Sequence, residues 1–365
     1  MNPNDWASLQ ANYIQNTYYR VDLTWRGMKA DNAGVRSRGN GSRNPRKPGL
    51  KIDFGKFTKN RRFVGLDTLV LDNLWQDDSM LIEPLIMELF RKLEVPAPRG
   101  SFARLFINGQ YHGLYAMVED VDQGFLARNF ENPLGHLYEY KWILPWRFND
   151  LGPDPATYVP TMFKPATHES RPEPEGILEL IQAANSPDPE DFARRIRTSL
   201  HIKSFLIYLA VDNFLCDGDG LNGRWAMNNF FLYRPPGSAM FHWIPWDKDG
   251  AFDGLERPLL YGVADNVLMR RLLAVPEHAA FFLETVDKIA NQHAGEGNWM
   301  SERASTYYNL IRNAVLADPN KRVTAHEFET HVTHVRYFIE DRPWRVMEEV
   351  EPLRNLPPEE WLSPH

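Results

Sequence analysis

Cysteine is almost absent from this chain. There is one, Cys216, in 365 residues, so no disulfide can form within it and a cross-linked secreted scaffold is excluded. A reducing compartment fits, and so does an extracellular protein built without disulfides. No apolar run approaches the roughly 18 residues needed to cross a bilayer. The opening MNPNDWASLQ lacks the basic-then-apolar pattern of a secretory leader. Positive charge is not in excess: 41 Lys and Arg face 48 Asp and Glu, a net −7, which argues against nucleic acid as the main partner. There is no Gly-x-Ser-x-Gly elbow for serine acyl chemistry, no internal repeat and no low-complexity tract. His331 and His334 lie three apart on a helical pattern without a matching ligand set, so zinc is not expected.

What remains is ordinary globular chemistry, with 43% hydrophobic residues, 27 prolines and 11 tryptophans. That is ample for a large core, and the prolines predict many loops. Alternation and turn residues predict strands at 18–25, 49–54 and 69–74. They also predict a hairpin of 101–107 with 111–118 around Asn108-Gly109, the strongest short hairpin signal. Helical spacing predicts helices at 6–14, 80–93, 189–200, 202–215, 266–273, 279–292, 301–316 and 325–350. Residues 145–189, rich in proline, read as an irregular connection with a short helix at 176–184. The order is β-rich first and helix-rich second, an α+β chain. The expected division is a β-rich lobe over 1–120 and a mainly helical lobe over 121–365.

The most informative segment runs from Asp212 to Asp253. Asp217 and Asp219 precede Asn228-Asn229, and the apolar run 230–233 follows at once. After a Pro-Gly turn, a second apolar run, 241–246, ends in Asp247-Lys248-Asp249. Folding one run back on the other places Asn229 and Asp247 at one end of a hairpin. An amide beside carboxylates is a hard-oxygen set of the kind Mg²⁺ prefers. Any one of these residues could simply cap a turn; their order is the informative part. Protein kinases arrange a catalytic Asp, a metal-binding Asn before a short strand, a turn, a second strand and a metal-binding Asp in the same sequence. The usual His-Arg-Asp and Asp-Phe-Gly strings are absent.

The first third supplies a complementary set. Residues 36–62 carry ten Lys and Arg and a single acid, Asp53. Within them, Arg38-Gly39-Asn40-Gly41-Ser42 can bring backbone N–H groups to phosphates. Lys47 and Lys51 follow; alternation at 49–54 puts Lys51 on the face opposite Leu50 and Ile52. Glu83, early in the next helix, is the expected orienting partner of a phosphate-gripping lysine, with Glu88 a second choice. Val118 and Glu119, after the hairpin, stand where a kinase hinge contacts adenine. Cys216 follows an apolar helix and reads as packed rather than nucleophilic.

These blocks resemble the CotH-type kinases, a family named for a spore-coat protein. The resemblance is carried by Arg36-Ser-Arg-Gly-Asn-Gly-Ser42 with Pro45-Arg-Lys-Pro48, by Asp78-Ser-Met-Leu81 and Glu83, and by Val95-Pro-Ala-Pro-Arg99. Ile107-Asn-Gly-Gln-Tyr111 with Glu119, and Asp212 through Phe252, complete it. It spans roughly residues 15–255. It implies an atypical protein-kinase-like two-lobed fold and phosphorylation of protein Ser/Thr, with ATP and Mg²⁺ or Mn²⁺ as cofactors. It also implies a secreted, cell-surface or spore-coat setting. By position, Asp219 looks like the catalytic Asp, and Asp247 like the principal metal ligand, with Asn229 beside it and Asp249 as a further candidate. Arg38, Asn40, Ser42, Lys47, Lys51, Val118 and Glu119 would hold the nucleotide. The alternation favours Lys51 and the motif favours Lys47. The chain departs from the family in having Ile82 where Arg often precedes the glutamate, and Asp217-Gly-Asp219 where Asn-Trp-Asp is frequent. Alternative readings are a weakly catalytic surface-binding protein, a transferase of AMP or glutamate, and a metal-dependent phosphohydrolase.

Overall fold

A computed structural model describes residues 1–362. They divide into two compact units. The first comprises residues 1–84, 98–125 and 304–334; the second comprises 85–97, 126–303 and the residues from 335 on.

The first unit is built on a six-stranded antiparallel sheet. A short helix, α1 (Pro3–Ala11), starts on Asn2, whose side chain accepts the Asn4 N–H, with Pro3 in the first turn. Then come β1 (Tyr19–Trp25), β2 (Met28–Arg38), β3 (Gly49–Asp53) and β4 (Thr68–Asp72). Helix α2 (Ile82–Lys92) intervenes before β5 (Gly100–Ile107) and β6 (Gln110–Val118). The strand order is β1-β2-β3-β4-β6-β5. Asn108 (φ 50°) and Gly109 (φ 85°) make the expected two-residue turn between β5 and β6. Residues 77–79 do head α2, as expected: the Asp77 carboxylate accepts the N–H groups of Ser79 and Ile82, both at 2.8 Å.

β2 was not visible in the sequence, since MKADNAGVRSR has little apolar character. It is nevertheless flanked by β1 and β3, and its small residues Ala30, Ala33 and Val35 pack inward with Leu50, Ile52, Phe54 and Leu71. The turn into it, Arg26-Gly27, takes positive φ at both residues, a geometry that an Arg-Gly pair does not advertise. A cavity of about 460 Å³ opens on this apolar face, lined by Val35, Leu50, Ile52 and Leu71 among others. Lys51 belongs to the other face. Its row runs across Arg36, Lys51, Val70 and Val118 by register.

The second unit centres on a four-stranded sheet ordered β10-β9-β7-β8. Helix α3 (Gln123–Asn129), which begins in the first unit, leads to β7 (His136–Tyr140) and β8 (Phe163–Pro165). Helices α4 (Pro174–Asn185), α5 (Pro189–Ser199) and α6 (Ile202–Phe214) follow, then β9 (Phe230–Arg234) and β10 (His242–Pro245). Helices α7 (Val267–Leu273) and α8 (Pro276–Lys288) belong to this unit as well, whereas α9 (Trp299–Leu316) lies mostly, and α10 (Ala325–Arg354) in its first ten residues, in the first unit.

Residues 145–189 are more ordered than an irregular connection. Trp146, Phe148, Tyr158 and Phe163 are fully buried. The prolines stiffen this stretch: Pro174 and Pro189 sit in first helical turns, where the missing N–H costs nothing. Pro165 lies in the edge strand β8, where a ladder donor is dispensable. Tyr140 stacks on Phe230 with ring centroids 4.6 Å apart, and Phe230 packs on Trp243 at 4.9 Å. This aromatic layer anchors β9 and β10 and fixes the position of the loop residues at their ends. Among the described residues no helix is long and apolar enough to cross a membrane.

Candidate functional site

The β9–β10 hairpin forms as the apolar runs predict, with Phe230 opposite Pro245. One residue further, the Trp246 N–H donates to the Asn229 carbonyl at 3.2 Å, so Asn229 and Asp247 flank the same hairpin end. Both have left-handed backbones, φ 59° and 51°, which Asn and Asp tolerate better than most residues. Cys216, Ala226 and Phe252 in the neighbouring loops share that conformation. Such strain gathers where a fold holds side chains for a purpose beyond packing.

Asp219 is held by both asparagines. Its Oδ1 accepts from Asn228 Nδ2 and its Oδ2 from Asn229 Nδ2, each at 2.9 Å. Burial pushes its pKa up; the two amide donors oppose that shift, and nearby Asp217 adds to it. The oriented carboxylate is therefore a better proton acceptor than a free one. Asn229 reaches Asp219 through its amide nitrogen, which leaves the amide oxygen as the hard-ligand end of the side chain.

The loop bearing Asp219 is tied down beneath the hairpin. Asp217 is buried, and its Oδ1 accepts the Asp219 N–H at 2.9 Å. Asp212 Oδ2 accepts the Leu221 N–H at 2.9 Å. Gly218 N–H donates to Gly250 O at 2.8 Å, joining this loop to the residues after Asp249. A Cβ on Gly220 would collide with the carboxylates of Asp212 and Asp217, so only glycine permits their approach. The loop also depends on Arg342 of α10, fully buried, which donates to Phe214 O at 2.9 Å and Leu255 O at 2.8 Å. The first of these bonds satisfies a carbonyl at the end of α6, just before the loop begins. Cys216 is buried as expected, and burial raises its thiol pKa, the opposite of an activated nucleophile.

Asp247 and Asp249 are partly buried at the hairpin end. The expected metal set is two carboxylates and one amide, oxygen donors suited to Mg²⁺ or Mn²⁺. Among the described residues no group of three or more His, Cys, Asp and Glu is placed to hold a metal, so a cation here would need Asn229 and substrate oxygens to complete its shell.

In the first unit the two lysines have different surroundings. Lys47 is 1% exposed, and its Nζ lies 2.8 Å from Asp318 Oδ2. The same oxygen accepts the Leu114 N–H at 2.9 Å. Burial lowers the Lys47 pKa, and Asp318 opposes that shift. Lys51 is 25% exposed and pairs with Asp120, which also accepts from Thr68 Oγ1 at 2.9 Å. Neither Asp318 nor Asp120 was anticipated. Asp318 lies 271 residues from Lys47, beyond any spacing argument. Asp120 could have been found: Val118 shares the Lys51 row and Asp120 lies two residues on, keeping the face. Glu83 is 5% exposed in the first turn of α2.

The glycine-rich segment is braced through its carbonyls. Arg43 Nε donates to Gly39 O at 2.7 Å, and Asn73 Nδ2 donates to Ser42 O and Lys47 O, both at 2.8 Å. Asn40 lies between these anchors. Arg38 pairs with Asp72 at 3.0 Å. Val118 is buried at the end of β6, and Glu119 pairs with Arg99 at 2.9 Å.

The buried pair yields a separable prediction. Lys47→Met should lower unfolding free energy by about 3–5 kcal/mol, because Asp318 loses its cation in a dry site. Lys51→Met should cost at most about 1 kcal/mol, since its pair is partly solvated. Urea denaturation of both variants checks this; equal losses would refute the distinction.

Comparison with known proteins is consistent with the residue pattern. The sequence family described as "CotH kinase protein" matches residues 35–346. The Inner spore coat protein H of Bacillus subtilis (strain 168) is 22% identical over 293 residues, covering 78% of this chain and 79% of that protein. Among solved structures, the Helicobacter pylori proinflammatory kinase CtkA overlaps 93% of this chain and 98% of its own. The TM-score is 0.34 and the identity 9%, too low for the overlap to carry an argument.

Proposed function

Because the chain belongs to the CotH kinase protein family, we propose that it transfers the γ-phosphate of ATP to Ser or Thr hydroxyls of a protein. The observation that carries this reading is the Asp219 carboxylate, oriented by Asn228 and Asn229 at the hairpin end that also bears Asp247. Phosphoryl transfer asks little covalent chemistry of a protein; positioning and charge neutralisation supply most of the rate. Asp219 has the qualities of the acceptor-facing residue: a fixed carboxylate with raised basicity, able to orient a hydroxyl and take its proton late. Asp217 is less suited, because it is buried and its Oδ2 is ion-paired with the ammonium of Lys248.

Asp247, Asn229 and Asp249 are the residues that would hold Mg²⁺ or Mn²⁺. A bound cation would supply neutralisation of phosphate charge. Lys51 is the proposed phosphate-gripping lysine, since its side chain and its partner Asp120 are partly exposed, whereas Lys47 and Asp318 are fully buried. Arg38, Asn40 and Ser42 would face phosphate oxygens, and Val118 and Glu119 would lie against the base. Glu83, buried in the first turn of α2, would serve as an orienting carboxylate, although Lys47 and Lys51 pair with Asp318 and Asp120. The spore-coat relative supports a spore-coat association for this chain.

The deciding experiment is incubation with γ-labelled ATP, Mg²⁺ or Mn²⁺ and candidate coat or surface proteins, followed by mass spectrometric site mapping. A mass gain of one phosphate on Ser or Thr is expected. A gain matching AMP or glutamate, or free phosphate without acceptor modification, would sink the reading. If ATP with either metal fails to shift the melting temperature, a binding module without catalysis replaces it.

A further inference from the structure

Lys248 stands in sequence between two expected metal ligands, yet its ammonium is not available to phosphate. The residue is 0% exposed. Its Nζ donates to Asp217 Oδ2 at 2.9 Å and to Asp212 Oδ2 at 3.1 Å, and it lies 4.8 Å from the centroid of the Tyr208 ring. Each of these partners passes the constraint on. Asp217 Oδ1 accepts the Asp219 N–H at 2.9 Å, and Asp212 Oδ2 accepts the Leu221 N–H at 2.9 Å. Tyr208 Oη donates to the Asn229 carbonyl at 2.9 Å. One buried cation thus reaches the loop of Asp219, the residue Asn229 and, through its own backbone, Asp247 and Asp249.

We propose that Lys248 is a positioning residue that clamps the loop carrying Asp219 to the hairpin end carrying Asn229, Asp247 and Asp249, holding the proton acceptor and the metal ligands at one fixed spacing. The proposal rests on the roles assigned above. A buried ion triad is a poor way to gain stability, because apolar residues of similar volume often do as well or better. Its advantage is geometric: two carboxylates held by one ammonium admit few arrangements, and each carboxylate in turn holds a backbone N–H of the loop. The clamp also accounts for Asp217, the carboxylate by which this chain departs from the family pattern. It is one of the two acids facing Lys248, which itself stands between Asp247 and Asp249.

The test compares Lys248→Met with Leu283→Ala, a buried α8 residue that is not one of the clamp residues and whose truncation destabilises the core. Steady-state kinetics at a temperature where both are folded should show kcat lower by about 100-fold in Lys248→Met, the loss expected when reacting groups are misplaced by about 1 Å. KM for ATP should stay nearly unchanged, and Leu283→Ala should keep its kcat while its Tm falls. Hydrogen exchange supplies a readout independent of catalysis: the Asp219 and Leu221 amides should exchange at least about tenfold faster in Lys248→Met and not in Leu283→Ala. Wild-type exchange at both amides would overturn the clamp even in an inactive protein. Faster exchange with unchanged kcat would overturn its positioning role. An inactive wild type with the exchange difference intact would sink the proposed activity and leave the clamp standing. If Lys248→Met does not fold, Asp217→Asn, which can keep an acceptor for the Asp219 N–H and removes one charge, should still lower kcat and speed exchange; wild-type behaviour there counts against the proposal.

Discussion

Asp219→Ala is expected to reduce phosphate transfer by about 10²–10⁴-fold, the usual contribution of a positioned proton acceptor, while ATP binding with Mg²⁺ stays close to wild type. The expectation follows from what Asp219 touches. Its oxygens take one hydrogen bond from each of Asn228 and Asn229, and Asp217 fixes its backbone. Asp219 is not itself among the residues proposed to hold metal or nucleotide, so the loss should fall on kcat and kcat/KM together and spare KM. Single-turnover assays with γ-labelled ATP, paired with thermal-shift titrations, separate the two effects. Wild-type turnover in the variant would remove Asp219 from the mechanism. Loss of binding as well as turnover would instead make it part of the nucleotide or metal site.

Asp247 should behave the other way. Asp247→Asn is expected to abolish the metal-dependent part of nucleotide affinity, a loss of at least about 100-fold or ~3 kcal/mol. Asparagine is the informative replacement: it tolerates the left-handed backbone at φ 51°, so the change removes charge with little added strain. A ligand at 100 times its Kd stabilises the fold by about 2.7 kcal/mol, and that increment should vanish in the variant when ATP is added with Mg²⁺ or Mn²⁺. An unchanged thermal shift would mean that the cation, if bound at all, sits elsewhere. Asp219→Ala and Asp247→Asn therefore predict opposite patterns from two carboxylates near one hairpin end.

Much of this site was legible in the sequence because its parts are local. Two apolar runs separated by a Pro-Gly turn can pair in few ways, and the pairing puts Asn229 and Asp247 together. The Asn-Gly hairpin and the α2 cap were readable for the same reason: a turn or a cap is decided by residues within a few positions of one another. Three strands, β2, β7 and β8, lie outside the predicted runs, and two of them show why. β2 is polar and small, and becomes a strand because β1 and β3 supply its partners. β8 is three residues long and contains a proline, and it exists only as the edge of a sheet built from β7, β9 and β10.

What the sequence determined by itself is the chemical inventory and its order: a basic strand, an acidic cap, an amide pair before one strand, carboxylates after the next. Which of those groups is free to act was decided by tertiary structure. Lys47 and Lys51 differ by four positions and read alike, yet one faces Asp318 in a dry interior and the other Asp120 near solvent. Asp217 and Asp219 differ by two, yet one is bound to Lys248 and the other is presented by two asparagines. The physical reason is common to both cases. A charged side chain can be buried only with a partner, and the partner is chosen by proximity in the folded chain, which can be hundreds of residues away in sequence.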